Sequence, residues 1–332
     1  MAEKLLVIDT DCGVDDAQAI MMALVAPGVR LLGITCCFGN TSADNVCRNV
    51  LRVLSVCDRT EIPVFRGAMS TLVATPNLPI SHFGTDGLGD VLEDSQPDAW
   101  RTQIQGEHAV NALIRMVSEN EGQVSLVALG PLTNLALAVR LDEELPKKLK
   151  ALYIMGGNME GKGNRTICGE FNFVMDPESA YIVLEEYLCP TYIASWEFTC
   201  RNKLSWDFFD ALVSQDTPAA RFMKKITSKY YCRDAVTRRG VLFGQGFVSY
   251  DAYAMAAAID CSVVTESVLC PVRVELQGAL CRGMMALDQT HTLGKQHCVA
   301  VMTACDTEKL ATLLMTALDQ PRGARDSQTA RL

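Results

Sequence analysis

The sequence predicts an α/β chain of one domain, with a mostly parallel central sheet flanked by helices and a small antiparallel extension late in the chain. Three observations predict it. Short apolar runs alternate with segments of helical spacing almost throughout, the rhythm of parallel strands joined by crossover helices. The 332 residues are 49% hydrophobic and 21% charged, which supplies a large buried core. No repeat or linker divides residues 1–320, whereas the polar stretch 321–332 is expected to be a disordered tail.

In chain order, the apolar run 5–8 reads as a first strand, ending in Asp9-Thr10-Asp11. A helix over 15–26 follows, with acidic residues in its first turn where the helix dipole favours them. Residues 29–37 are β-rich and continuously apolar, as for a strand buried on both faces. The alternation continues with a helix at 42–56, a strand at 62–65, a helix at 107–119, a strand at 124–129 and a helix at 132–145. Then come a strand at 151–155, a helix at 177–188 and a strand at 192–196. Shorter runs at 272–276, 284–287 and 299–304 suggest the antiparallel extension, and 308–318 a closing helix. Two Gly-rich polar stretches, 67–105 and 156–168, interrupt this order. Loops leaving the carboxyl ends of parallel strands build sites in such folds, so these are site candidates. Residues 229–250, basic and then Gly-rich, are expected to form a mobile lid.

The formal net charge of −9 argues against a nucleic-acid or anionic-membrane binder, since those surfaces attract basic patches. No run of 18 uncharged apolar residues suggests a transmembrane span. The first residues reach Asp9 too soon for a signal peptide, so the fourteen cysteines are expected to be reduced core residues in a cytoplasmic protein. They show no metal-binding spacing.

The most informative stretch is Asp9-Thr10-Asp11-Cys12-Gly13-Val14-Asp15-Asp16, with four carboxylates where the first strand meets the first helix. Asp9 and Asp11 share one side of an extended chain, and Gly13 permits a tight turn that returns Asp15 and Asp16 over the strand end. Two unit charges about 6 Å apart at an effective dielectric of about 20 repel by roughly 3 kcal/mol. A hard divalent cation with oxygen ligands would neutralise several such pairs. The plainer alternative has Asp15 and Asp16 capping the helix while Asp9 bonds backbone amides. The Asp-x-Asp part also fits a Mg²⁺ phosphohydrolase of the haloacid-dehalogenase kind, with the first Asp attacking phosphorus. That reading gives no reason for the Asp15-Asp16 pair.

The stretch from Asp9 to Ala17 closely resembles the signature of the inosine–uridine preferring nucleoside hydrolases, with Cys12 where that family usually has Pro. Five further motifs fall in family order: Phe38-Gly39-Asn40, Asp86-Gly87-Leu88-Gly89, Leu129-Gly130-Pro131-Leu132-Thr133-Asn134, Met155-Gly156-Gly157 and Glu170-Phe171-Asn172. The resemblance covers about residues 4–319. It implies a nucleoside hydrolase fold and hydrolysis of ribonucleosides to ribose and free base. It implies Ca²⁺ held by Asp11, Asp16, Asp251 and the backbone carbonyl of Leu129, with Asp11 also the general base for the attacking water. It further implies that Asp15, Asn40, Asn164, Glu170 and Asn172 contact the ribose, that Met155 lies under the sugar, and that the chain forms a homodimer or homotetramer. The oxocarbenium-like transition state of such a reaction is helped by surrounding negative charge.

The chain departs from the family at the leaving group. Many relatives carry His just before the last metal-ligand Asp, where this chain has Tyr250. Many also carry His before the glycine preceding Asp-Gly-Leu-Gly, where this chain has Phe83, with His82 one residue earlier. Stacking of the base on Phe83 together with Tyr250, aided by Tyr230 or Trp196, is expected to replace the imidazole. A catalytically weak nucleoside- or ribose-binding relative is the alternative that this departure permits. His108, His291 and His297 are expected to be structural or surface residues. The C-terminal Ala330-Arg331-Leu332 resembles a peroxisomal address.

Overall fold

The computed structural model describes residues 3–73, 82–92, 99–233 and 237–319. The proposed tail with its Ala330-Arg331-Leu332, and parts of the 67–105 and 229–250 segments, lie outside them. The strands are β1 (Lys4–Thr10), β2 (Val29–Cys36), β3 (Val64–Arg66), β4 (Val124–Ala128), β5 (Ala151–Met155), β6 (Thr191–Ala194), β7 (Val264–Cys270), β8 (Val272–Val274), β9 (Met285–Leu287) and β10 (Val299–Cys305). The helices are α1 (Val14–Val25), α2 (Ala43–Val56), α3 (Ala109–Ser118), α4 (Thr133–Leu141), α5 (Phe171–Met175), α6 (Pro177–Glu186), α7 (Trp196–Arg201), α8 (Trp206–Val213), α9 (Pro218–Thr227), α10 (Arg238–Phe243), α11 (Tyr250–Ile259) and α12 (Thr307–Leu318).

The main sheet has the order β3-β2-β1-β4-β5-β6-β10-β7, parallel except for β7, which runs antiparallel to β10. β8 and β9 form a separate antiparallel pair. β1 explains why the strands read as unbroken apolar runs. Leu6 and Ile8 pack into one core with α1, α2, α11 and α12, while Leu5 and Val7 pack into another with α3, α4 and α6. Burying such side chains on both faces contributes about 1.5–3 kcal/mol each. β2 lies on one side of β1 and β4 on the other, so the crossovers leave in opposite directions and open a crevice at the carboxyl ends of β1 and β4.

Two expectations are corrected. The run at 299–304 does not join the β8–β9 pair: β10 lies in the main sheet, parallel to β6 on one side and antiparallel to β7 on the other. Trp196 is not in a strand: Ser195 accepts a hydrogen bond from the Phe198 amide and starts α7 there. All fourteen cysteines are free thiols, and Cys12, Cys36, Cys37, Cys47, Cys189, Cys200 and Cys270 are buried. His108 caps α3, its Nδ1 accepting from Val110 N at 3.3 Å. No helix of the described residues is long and apolar enough to cross a membrane.

Candidate active site

Thr10 ends β1, and Asp11 stands just beyond it in the crevice. The Asp11 carboxylate is closely framed: Oδ2 accepts from the Asn40 amide at 2.7 Å, while Oδ1 is buried with no partner. A Cβ on Gly39 would lie 2.0 Å from Oδ2, and one on Gly130 would lie 2.8 Å from Oδ1. Glycine at both positions is therefore a requirement of space. The same holds at Gly13, whose φ of −90° needs no glycine but whose Cβ would meet the Asn40 amide at 2.6 Å and the Phe83 ring at 2.8 Å.

Gly13 also caps α1, which aims Asp15 and Asp16 back over the strand end. Asp16 accepts from Gly13 N at 2.8 Å, from the Asn40 side chain at 3.2 Å and from the Thr10 hydroxyl. Asp251 arrives from the first turn of α11, which packs on α1. Carboxylate oxygens of Asp15, Asp16 and Asp251 lie within 4.8 Å of one another. This three-membered group differs from the expected set, because it includes Asp15 and not Asp11. Asp9 stands apart from the cluster. It lies within β1, where Oδ1 accepts from the Thr35 hydroxyl and from Asn134 Nδ2 at 2.8 Å, side chains rather than the backbone amides of the plainer alternative.

Burial pushes all these carboxyls above the ordinary carboxylate range. Repulsion from Asp16 adds to it at Asp11 and at Asp15, which reaches about 8. Asp251 is raised by burial and then by Asp15, Asp16 and Asp11. Asp16 is raised by burial against the pull of its Thr10 and Gly13 hydrogen bonds. Such a cluster suits a hard cation, as does the orphaned Asp11 Oδ1. The Leu129 carbonyl, just past β4, accepts one hydrogen bond, from Asn172 Nδ2 at 2.7 Å, and a carbonyl has a second lone pair.

The cluster opens into a cavity of about 370 Å³. Of the twelve residues expected at the site, Asp16 alone does not line this cavity; it is fully buried. Glu170 caps α5 and accepts from Gly157 N (2.9 Å), Asn172 N (2.9 Å) and Phe173 N (3.2 Å), yet burial holds its carboxyl at about 7. Asn172 Nδ2 bonds the carbonyls of both Leu129 and Met155, the latter at 3.0 Å. Asn164 accepts from Phe171 N at 2.8 Å. The 156–168 loop that carries Asn164 is fastened by buried Glu197, which accepts from the Met159, Glu160 and Lys162 amides.

The rest of the lining is aromatic and basic. Phe83 meets His82 and Tyr230 edge-on, with centroids 4.5 and 6.3 Å away. Tyr250 faces the cavity, its hydroxyl raised well above 10 by burial and the nearby Cys200 and Asp15, with Arg239 and Trp196 pulling back. His82 is open to the cavity, yet desolvation and then Arg165 and Arg239 pull its imidazole below 6.5. Sequence reasoning named Tyr230 and Trp196 here but missed Arg165, Arg238, Arg239 and Trp206 as lining residues. The basic start of the 229–250 segment was the available signal for two of the arginines.

A sequence model of the inosine–uridine preferring nucleoside hydrolases matches residues 6–312. The inosine–uridine preferring nucleoside hydrolase of Crithidia fasciculata is 32% identical over 319 residues, covering 96% of this chain and 98% of that protein. Among solved structures, an inosine–guanosine nucleoside hydrolase superposes with a TM-score of 0.85 at 32% identity, over 96% of this chain and 99% of that one. A purine-preferring ribonucleoside hydrolase from Gardnerella vaginalis gives 0.83 at 26% identity, over 95% and 98%. With the fold, the carboxylate cluster and these matches spanning nearly its whole length, the chain belongs to the inosine–uridine preferring nucleoside hydrolase family.

Proposed function

We infer that the chain hydrolyses the N-glycosidic bond of ribonucleosides to ribose and free base, and we propose Ca²⁺ as its metal. The observation that carries this reading is the buried, unpartnered Asp11 Oδ1, facing a cavity beside three more carboxylates. Asp11, Asp16, Asp251 and the Leu129 carbonyl would hold the cation, with Asp15 near enough to share in it. When bound, the cation supplies positive charge that neutralises the cluster, acidifies water and orients ribose hydroxyls.

The remaining steps belong to side chains. Asp11 Oδ1 accepts the proton of the attacking water, since its other oxygen is engaged by Asn40. Asp15, Asn40, Asn164, Glu170 and Asn172 hold the ribose over Met155, and the carboxylates of the site favour the oxocarbenium-like transition state. Phe83 stacks on the base. Tyr250, held protonated, donates a hydrogen bond and is a poor source of a full proton.

The Mg²⁺ phosphohydrolase reading requires Asp9 as nucleophile. Asp9 is fully buried, bonded to Thr35 and Asn134, and absent from the cavity lining, so nothing favours that reading. The test is incubation with inosine, uridine and a phosphate monoester, with and without chelator. Free base and ribose, abolished by chelation and restored by Ca²⁺, is the expected result. Binding without turnover would establish the catalytically weak relative instead, and released phosphate the phosphohydrolase. A cytoplasmic homodimer or homotetramer completes the proposal, with light scattering and imaging as its checks.

A further inference from the structure

The cavity is lined by charges of both signs. Its lining carries Asp11, Asp15, Asp251 and Glu170 together with Arg165, Arg238 and Arg239. Arg238 is committed to structure, its guanidinium donating to the carbonyls of Thr166 (2.8 Å) and Ile167 (3.1 Å). Arg239 is different: its Nη1 is buried and has no hydrogen-bond partner. A cationic donor left so is costly unless a ligand completes it. Arg239 lines the cavity together with Tyr250 and with His82, whose ring meets Phe83 edge-on, the residue proposed to stack on the base.

The reaction itself separates charge. When the bond between the anomeric carbon and the base nitrogen breaks, its electron pair stays on the base and positive charge develops on the ribose. Water oxygen then bonds to the anomeric carbon, Asp11 takes one water proton, and the base nitrogen is protonated from solvent as Asp11 returns its own. A fixed cation near the base stabilises the departing pair without titrating. A guanidinium also has shape. Its planar fork matches two adjacent acceptors, as in the pairing of Arg with O6 and N7 of guanine. Hypoxanthine offers the same two acceptors. Adenine replaces O6 with an amino donor, and uracil sets an N–H beside its O4.

We propose that Arg239 reads the leaving base, its open donors engaging O6 and N7 of a 6-oxopurine and stabilising the base as it departs. The proposal rests on the ribonucleoside hydrolase reading above. It fills the role left open by the absence of His at position 250.

The test compares kcat/KM for inosine, adenosine and p-nitrophenyl β-D-riboside in the Ca²⁺-loaded wild type, Arg239→Gln and Arg239→Lys. The nitrophenolate needs little help to leave, so it reports on the ribose side. Wild type is expected to prefer inosine over adenosine by about ten- to a hundredfold, the discrimination of one good bidentate pair. Arg239→Gln should collapse that preference and lower inosine cleavage at least tenfold more than nitrophenyl riboside cleavage. Arg239→Lys should keep the charge, lose the fork and fall between. Equal losses on all three substrates would mean a structural role and overturn the proposal. A wild type without preference for inosine would overturn it even if the variants failed to fold. A wild type that cleaves neither nucleoside nor nitrophenyl riboside would refute the hydrolase reading, and this inference with it.

Discussion

Replacing Asp9 by Asn should change how stability depends on pH far more than it changes the site. Asp9 is fully buried within β1 and its carboxyl is pushed from 3.8 up to about 7, chiefly by burial, with the Thr35 and Asn134 hydrogen bonds opposing. The folded value exceeds the unfolded one, so the folded chain holds an extra proton between about pH 4 and 7. The stability due to that proton is complete below about pH 4 and lost as pH rises through 7. The gap, at about 1.4 kcal/mol per tenfold change, comes to about 4 kcal/mol, of which about 3 kcal/mol falls between pH 5 and 8. Asn keeps the acceptor that Thr35 and Asn134 use but puts an amide donor where Oδ2 has no partner, costing about 1–3 kcal/mol at every pH. Urea unfolding of both proteins in chelator, from pH 5 to pH 8, isolates the effect, because every other buried carboxyl is common to the two. The variant should gain about 3 kcal/mol on wild type between pH 5 and pH 8, enough to offset its constant cost and draw level with wild type or pass it. Parallel stability curves, or a difference that widens with pH, would refute the reasoning.

Gly39→Ala should lower kcat at least a hundredfold with the fold retained by circular dichroism, since the new methyl occupies the space of Asp11 Oδ2 and displaces the proposed base by an ångström or more. Added Ca²⁺ should stabilise the chelated protein, by about 2.7 kcal/mol at a hundred times its dissociation constant, and a calorimetric scan showing no rise in Tm would exclude a tight site. Glu170→Gln should cost about 1–3 kcal/mol in urea unfolding, because an amide cannot accept from all three of the Gly157, Asn172 and Phe173 N–H groups.

The fold was legible where periodicity was strong. Strands buried on two faces announce themselves as unbroken apolar runs, and the crossover helices show their stripes. α11 gave no such stripe, because Tyr250–Ile259 is apolar all round and buried among α1, β5 and its neighbours. β7 was missed for the opposite reason, since its Thr265, Glu266 and Ser267 are exposed on an edge strand and leave no apolar run. At the site, motif residues could be assembled because each is adjacent in sequence to others with the same task. Arg239 has no such company: it reaches the cavity only through the path of residues 229–250, which no local pattern encodes. The role of Asp15 could not be separated from that of Asp16 by sequence, because neighbours in a first helical turn differ in direction only once the turn is built.

Asn172 carries a consequence for the sugar itself. Its side-chain nitrogen has two hydrogens, and both are already engaged, one by the Leu129 carbonyl and one by the Met155 carbonyl. What the side chain can offer a ligand is therefore its oxygen alone, an acceptor with no donor beside it. A ribose group held there as proposed would have to bring its own hydrogen. A hydroxyl satisfies this, whereas the same position capped as a methyl ether would set oxygen against oxygen. The two carbonyls, fixed at the ends of neighbouring strands, thus decide the polarity of a contact they never make.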